Sequence, residues 1–116
     1  MGLTQGIKLV RIKDGLSNTL LVGEKHVPPD QFGIGGWDCS MYNGDMVVCA
    51  SRSGGQAYPL AQSINDPGWK FGSYHAHICH FAMADGSVRP FSTTIDPAVL
   101  HLLSNMADGQ VIPGFE

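Results

Sequence analysis

The sequence predicts an α+β fold, dominated by an antiparallel β-sheet with one short C-terminal helix. Three observations carry that prediction. Fifteen glycines and seven prolines among 116 residues suit short strands and tight turns, because both residues weaken helix interiors and set turn geometry. Two short apolar runs, Ile78 to Ala84 and Ser87 to Ser92, bracket Asp85-Gly86, a dipeptide that favours a hairpin turn. Asp96-Pro97 then announces a helix, with Asp96 as N-cap and Pro97 at the first position, where its missing donor does no harm. Val99, Leu100, Leu103 and Met106 recur at helical spacing, and Gly109 supplies a stop.

The remaining elements follow in order. Residues 7 to 13, IKLVRIK, alternate imperfectly between apolar and charged and read as a strand running into Asp14-Gly15. LSNT reads as a structured loop, since Ser17, Asn18 and Thr19 bond nearby backbone. Leu20, Leu21 and Val22 form a continuous apolar run suited to a buried strand. Two prolines and three glycines make 26 to 36 a loop, with Trp37 opening the next strand. Asn43-Gly44 predicts a hairpin within a meander over 37 to 51. Residues 52 to 70 show no sustained period and read as a long irregular connection. Pro90 lacks a ladder donor, so the strand holding it belongs at an edge or has that position facing outward.

A chain of this length buries one core, so residues 1–116 read as a single globular domain. A hydrophobic fraction of 43% argues against disorder, and charged residues at 15% leave the surface to uncharged polar groups. The formal charge of -3 and the scatter of seven Lys and Arg residues provide no basic stripe for a phosphate backbone, which excludes nucleic acid as the expected partner. No run approaches 18 apolar residues, and MGLTQGIKLV lacks the charged-then-apolar layout of an export signal. Cys39, Cys49 and Cys79 are an odd count without C-x-x-C spacing, allowing at most one intramolecular disulfide; buried free thiols are the plain alternative.

DGLSNTLLVGE at 14 to 24, FGSYH at 71 to 75, a histidine followed after nine residues by Asp85-Gly86, and SVRPFSTTIDPAVLHLLSNMADGQVI together resemble the C-terminal part of the pseudopilin-like domain of unknown function 1559 (DUF1559). That family is abundant in planctomycete-type bacteria and is known for its prepilin-type, processing-associated His-x9-Asp-Gly motif. The resemblance spans about residues 7 to 113. His75 matches the motif histidine, and Asp85 and Gly86 match its Asp-Gly. It implies a type IV pilin or type II secretion pseudopilin layout: a leader and one long hydrophobic helix, both lacking in this chain, then an extracytoplasmic antiparallel sheet. Membrane association is expected only through that absent helix. The family pattern continues after its histidine with Pro-Gly-Gly and then Asn, where this chain has Ala76, His77, Ile78 and His80. The additional histidines are this protein's own.

HAHICH, residues 75 to 80, is the stretch richest in potential chemistry. On an extended segment His75, His77 and Cys79 share one face and His80 takes the other. Two imidazoles and a thiolate, spaced about 6 to 7 Å along the strand, would hold Zn²⁺ or Cu if the strand bends or a distant ligand such as His26, Asp38, Cys39 or His101 joins. The plainer alternative has His75 fixing the loop by bonding a backbone carbonyl or Asp85, and Asp85 serving the turn. A hydrolase would pair His75 and Asp85 with Ser73, Ser87 or Cys79, but no nucleophile elbow or oxyanion loop is present. Asp30, Asp38, Asp45, Asp66 and Asp108 offer oxygen ligands for Ca²⁺ without the spacing of a calcium loop. The glycine-rich stretches at 33 to 36 and 53 to 55 lack the Lys-Ser/Thr of a phosphate loop. Trp37, Tyr42, Tyr58, Trp69, Phe71, Tyr74 and Phe91 serve the core or a partner platform, with Tyr58 and Trp69 expected at the surface.

The sequence therefore predicts a non-enzymatic, pseudopilin-like extracytoplasmic domain that assembles with itself or binds protein partners, with no cofactor expected. The alternatives are a Zn or Cu site through His75, His77, Cys79 and His80, and a hydrolase.

Overall fold

The structure, a computed structural model, describes residues 8–13, 15–35, 38–39 and 51–105. It has a three-stranded antiparallel sheet, formed by β1 (Leu20–Gly23), β2 (Ile78–Met83) and β3 (Val88–Ser92) in the order β1-β2-β3. One helix follows, α1 (Pro97–Leu103). The fold is thus α+β, as the sequence predicts. Among the described residues no helix is long and apolar enough to cross a membrane.

Strand β2 is central, and its side chains alternate strictly. Cys79, Phe81 and Met83 are buried, while Ile78, His80 and Ala82 lie on the half-buried opposite face. Around the inward trio gather Leu60 from the long connection, Phe91 from β3, and Leu100 and Leu103 from α1. Phe71, Phe81 and Phe91 stack edge to face, at centroid distances of 5.2 and 5.6 Å about Phe81. That geometry favours the aromatic quadrupoles beyond their simple burial. Leu100 and Leu103, three residues apart on one helix face, each contribute about 1.5–3 kcal/mol by leaving water. Asp96 caps the helix as predicted, its Oδ1 accepting from the Ala98 N–H at 2.9 Å, with Pro97 in the first turn. Met106 and Gly109 lie outside the described residues.

The hairpin turn differs from a two-residue Asp-Gly turn. The Gly86 N–H donates to the Met83 carbonyl at 2.9 Å, and Gly86 rather than Asp85 takes positive φ, at 88°. This is a three-residue loop closed by a glycine bulge, the common alternative when only one residue is left-handed. Pro90 sits on β3, an edge strand among the described residues, as predicted.

Two strand assignments change. Residues Leu9–Arg11 form a 3-10 turn, with the Arg11 N–H on the Lys8 carbonyl at 2.9 Å. Leu9 and Val10 are adjacent apolar residues and both exposed, so this stretch had no single face to bury against a sheet. Strand β1 is present but is not buried. Its register against β2 shifts between Leu20 and Val22, so Leu21 is an extra residue in a bulge. The bulge breaks the period of two and turns consecutive apolar side chains outward: Leu21 is 65% and Val22 62% exposed.

LSNT is a structured loop, as expected. Leu16–Asn18 make a 3-10 turn entered through Gly15 at φ 94°, and Thr19 Oγ1 donates to the Gly15 carbonyl at 3.0 Å. Its carbonyls receive the Ala84 and Asp85 N–H groups at 2.8 and 3.0 Å, which clamps the hairpin. The loop over 26–35 holds a single 3-10 turn, Pro29–Gln31. The connection from 52 to 70 is irregular apart from isolated bridges at Ser53–Lys70 and Gly55–Tyr58. The meander over 37 to 51 falls almost wholly outside the described residues.

Gly23 ends β1 where the chain lies flat on the aromatic stack. A Cβ there would collide with the Phe81 ring and approach Phe71 Cδ1 to 2.7 Å. Gly23→Ala is therefore expected to destabilise the fold by about 1–3 kcal/mol, whereas Gly35→Ala, with open space around it, should be near neutral. Urea denaturation of the two variants checks this.

Candidate functional site

One residue beyond the last ladder pair of β1 and β2, the chain changes partners. The Glu24 N–H still donates to the His80 carbonyl at 3.3 Å, but the Glu24 carbonyl accepts from the Gly72 N–H at 3.0 Å. The position opposite the His80 N–H is therefore filled by Glu24's own side chain, whose Oε2 accepts that N–H at 2.7 Å. The same oxygen lies 3.2 Å from His80 Nδ1. The carboxylate's other oxygen, Oε1, lies 3.3 Å from His75 Nε2.

His75 reaches this point because residues 73 to 77 do not extend β2. Ser73 Oγ donates to the Ile78 carbonyl at 2.7 Å and accepts the His75 N–H at 3.0 Å, pulling the segment into a loop. His77 completes the reversal at φ 62°, and its carbonyl accepts the Thr93 N–H at 3.0 Å. The His75 and His80 rings meet at right angles, with an interplanar angle of 84° and centroids 5.1 Å apart. Glu24, His75 and His80 thus present three ligand-type atoms within 4.8 Å of one another. All three side chains are partly exposed, and a shallow cleft lined by Glu24, Lys25, Phe32, Asp38, Ser73 and Tyr74 borders them.

The four sequence candidates in HAHICH are therefore divided. His75 and His80 come together, and His77 and Cys79 do not join them. The expected alternation of His75, His77 and Cys79 on one face assumed an extended segment, but the strand begins only at Ile78. Cys79 then points into the core, on the face opposite His80. Its thiol is pushed up to about 12, chiefly by burial and secondarily by the Glu24 charge, so a thiolate is strongly disfavoured there. Glu24 was missed by sequence reasoning. Its signal lay in the antiparallel register, which sets the residue after LLVG opposite the first polar outward residue of β2.

Asp85 serves its turn. Its Oδ1 accepts the Ser87 N–H at 2.8 Å and the Ser87 hydroxyl at 2.6 Å, and these bonds hold its carboxyl below the usual carboxylate range. Ser73, Ser87, His75 and Asp85 thus each have local partners, with His75 on Glu24 rather than Asp85. The distant ligand candidates are spent elsewhere. His26 is buried with Nε2 at 2.7 Å from the Asp66 carbonyl. Asp38 accepts the Gly33 N–H and pairs with Lys25 at 3.4 Å, which lowers its pKa, the Gly33 bond most strongly. Cys39 is disulfide-bonded, and His101 lies exposed on α1 beside Gly55.

Among the described residues the proposed calcium ligands form no cluster. Asp66 accepts the Gln62 N–H at 2.8 Å and pairs with Lys70 at 3.5 Å, Asp30 sits in the 3-10 turn, and Asp45 and Asp108 lie outside the described residues. Among the aromatics, Phe71 and Phe91 serve the core, and Tyr58 and Trp69 are exposed, as expected. Tyr74 is exposed too, although its hydroxyl donates to the Val27 carbonyl at 2.7 Å; Trp37 and Tyr42 lie outside the described residues.

This sheet, with its His75–Glu24–His80 corner, belongs to a family defined by sequence rather than by activity. The chain is a member of the DUF1559 family, described as a protein of unknown function, whose model matches residues 1–98. No curated protein and no solved structure matches the chain.

The buried Cys79 sulfur gives a direct check on the core. At pH 8 its reaction with a thiol-specific reagent should be slower than that of an exposed thiol by at least about a hundredfold, and should become fast on unfolding. Rapid labelling of the folded protein would contradict the inward orientation of Cys79.

Proposed function

We propose that this DUF1559 chain is an extracytoplasmic, pseudopilin-like domain that works by protein contact rather than catalysis, and that it assembles with a second copy of itself through the surface of β1. The observation that carries the reading is the contrast between the two outer strands of the sheet among the described residues. Edge strands invite further pairing unless charge, proline or a bend protects them. Strand β3 carries Arg89 and Pro90, and the latter has no N–H to offer. Strand β1 reads LLVG, with no charge, and its bulge brings Leu21 and Val22 outward together.

The apolar character continues into a cleft lined by Leu9, Ile12, Thr19, Leu20, Leu21 and Ala84. The exposed apolar pair Leu21 and Val22, with Arg52 at its border, can meet its own copy about a two-fold axis. The disulfide at Cys39 supports an oxidising, extracytoplasmic setting. The separate local engagement of His75 and Asp85 supports a role without hydrolysis.

Sedimentation equilibrium tests the assembly. The wild type is expected to associate with a Kd of about 10 µM to 1 mM, the range for a small interface. The double substitution Leu21→Lys and Val22→Lys should abolish association while leaving the unfolding midpoint nearly unchanged, since both side chains are exposed. A wild type that stays monomeric throughout this range, or association indifferent to the two lysines, would overturn the reading.

A further inference from the structure

We propose that Glu24, His75 and His80 form a binding site for a divalent transition metal of the zinc type. Zinc accepts imidazole nitrogens and carboxylate oxygens at about 2.0–2.2 Å in tetrahedral geometry, which sets neighbouring ligand atoms roughly 3.3–3.5 Å apart. His75 Nε2 lies 3.3 Å from Oε1 and His80 Nδ1 3.2 Å from Oε2, the two oxygens of one carboxylate, and one ligand atom from each residue falls within 4.8 Å of the other two. An ion is thus accommodated by rotations of side chains without rebuilding the backbone. Two nitrogen donors and one oxygen donor suit zinc, whereas calcium and magnesium prefer oxygen alone. Three protein ligands leave the fourth position to water.

The arrangement is held by the backbone. The His80 N–H at 2.7 Å on Oε2 orients the carboxylate, and Ser73 fixes the chain at His75 from both sides. Such supporting bonds position ligands before the metal arrives. Where each nitrogen carries a proton toward Glu24, binding moves that proton to the outer nitrogen of the same ring; the metal takes the vacated lone pair. Protonation of either ring competes with the ion. The ion would join the end of β1 to the 73–77 loop and to β2, which follows that loop directly, across about fifty residues of sequence.

Isothermal titration of EDTA-treated, metal-free protein with Zn²⁺ tests the site, using Ca²⁺ and Mg²⁺ as controls. One zinc per chain is expected, with a rise in melting temperature of roughly 5–10 °C at saturating metal and no response to the two controls. His75→Ala and His80→Ala should each weaken binding at least about a hundredfold, and Glu24→Gln at least about tenfold, since losing even a supporting group costs 10–100-fold. His77→Ala should bind as the wild type does. Imidazole NMR of the unsubstituted protein identifies the coordinating rings independently of any folding defect: His75 and His80 should shift on zinc addition, and His26, His77 and His101 should not. Absence of zinc uptake by the wild type, uptake unaffected by all three ligand substitutions, or coordination through His77 or His101 would overturn the proposal.

Discussion

Strand β2 is hydrogen-bonded on both sides, and its strict alternation is the constraint on which the rest depends. Because Cys79, Phe81 and Met83 must point one way, the faces on which every neighbour can pack are decided. Helix α1, Leu60 and the ring of Phe91 close on the inward side. His80 is then obliged to face outward. A one-residue slip of this strand would bury an imidazole and expose Phe81, an exchange that the lost apolar burial alone would make costly.

Glu24 shows how a strand end becomes something other than a strand end. Its main chain serves two neighbours, taking His80 on one side and Gly72 on the other. The carboxylate occupies the ladder position thus left open. A buried or half-buried N–H requires a partner, so the side chain has a structural reason to sit where it does. The same placement puts an anionic group between two imidazoles. Structural and chemical roles coincide because the residue that satisfies the backbone is charged.

The parts legible in the sequence were those fixed by local chemistry. Asp96-Pro97 declared the helix start through capping, and Asp85-Gly86 with its flanking apolar runs declared the hairpin. Pro90 declared an edge. What escaped was set by tertiary register. The bulge at Leu21 depends on how β1 meets β2, and nothing within LLVG distinguishes a buried run from an edge that turns two apolar residues outward. HAHICH gave two of the three clustered residues. It misplaced His77 and Cys79 because Ser73 and the left-handed turn at His77 end the extended segment at Ile78. Glu24, more than fifty residues away from His80 in sequence, became its neighbour only through antiparallel pairing.

The left-handed backbone at His77 has a consequence for the unfolded chain. His77 sits at φ 62°, in the left-handed region that glycine adopts freely. A histidine there costs roughly 1–2 kcal/mol relative to the right-handed form, a penalty that glycine does not carry. Glycine, however, samples far more conformations before folding. Histidine therefore exchanges native strain for a smaller loss of chain entropy, and the Ser73–Ile78 loop is drawn from a narrower denatured ensemble than a glycine-bearing loop would be.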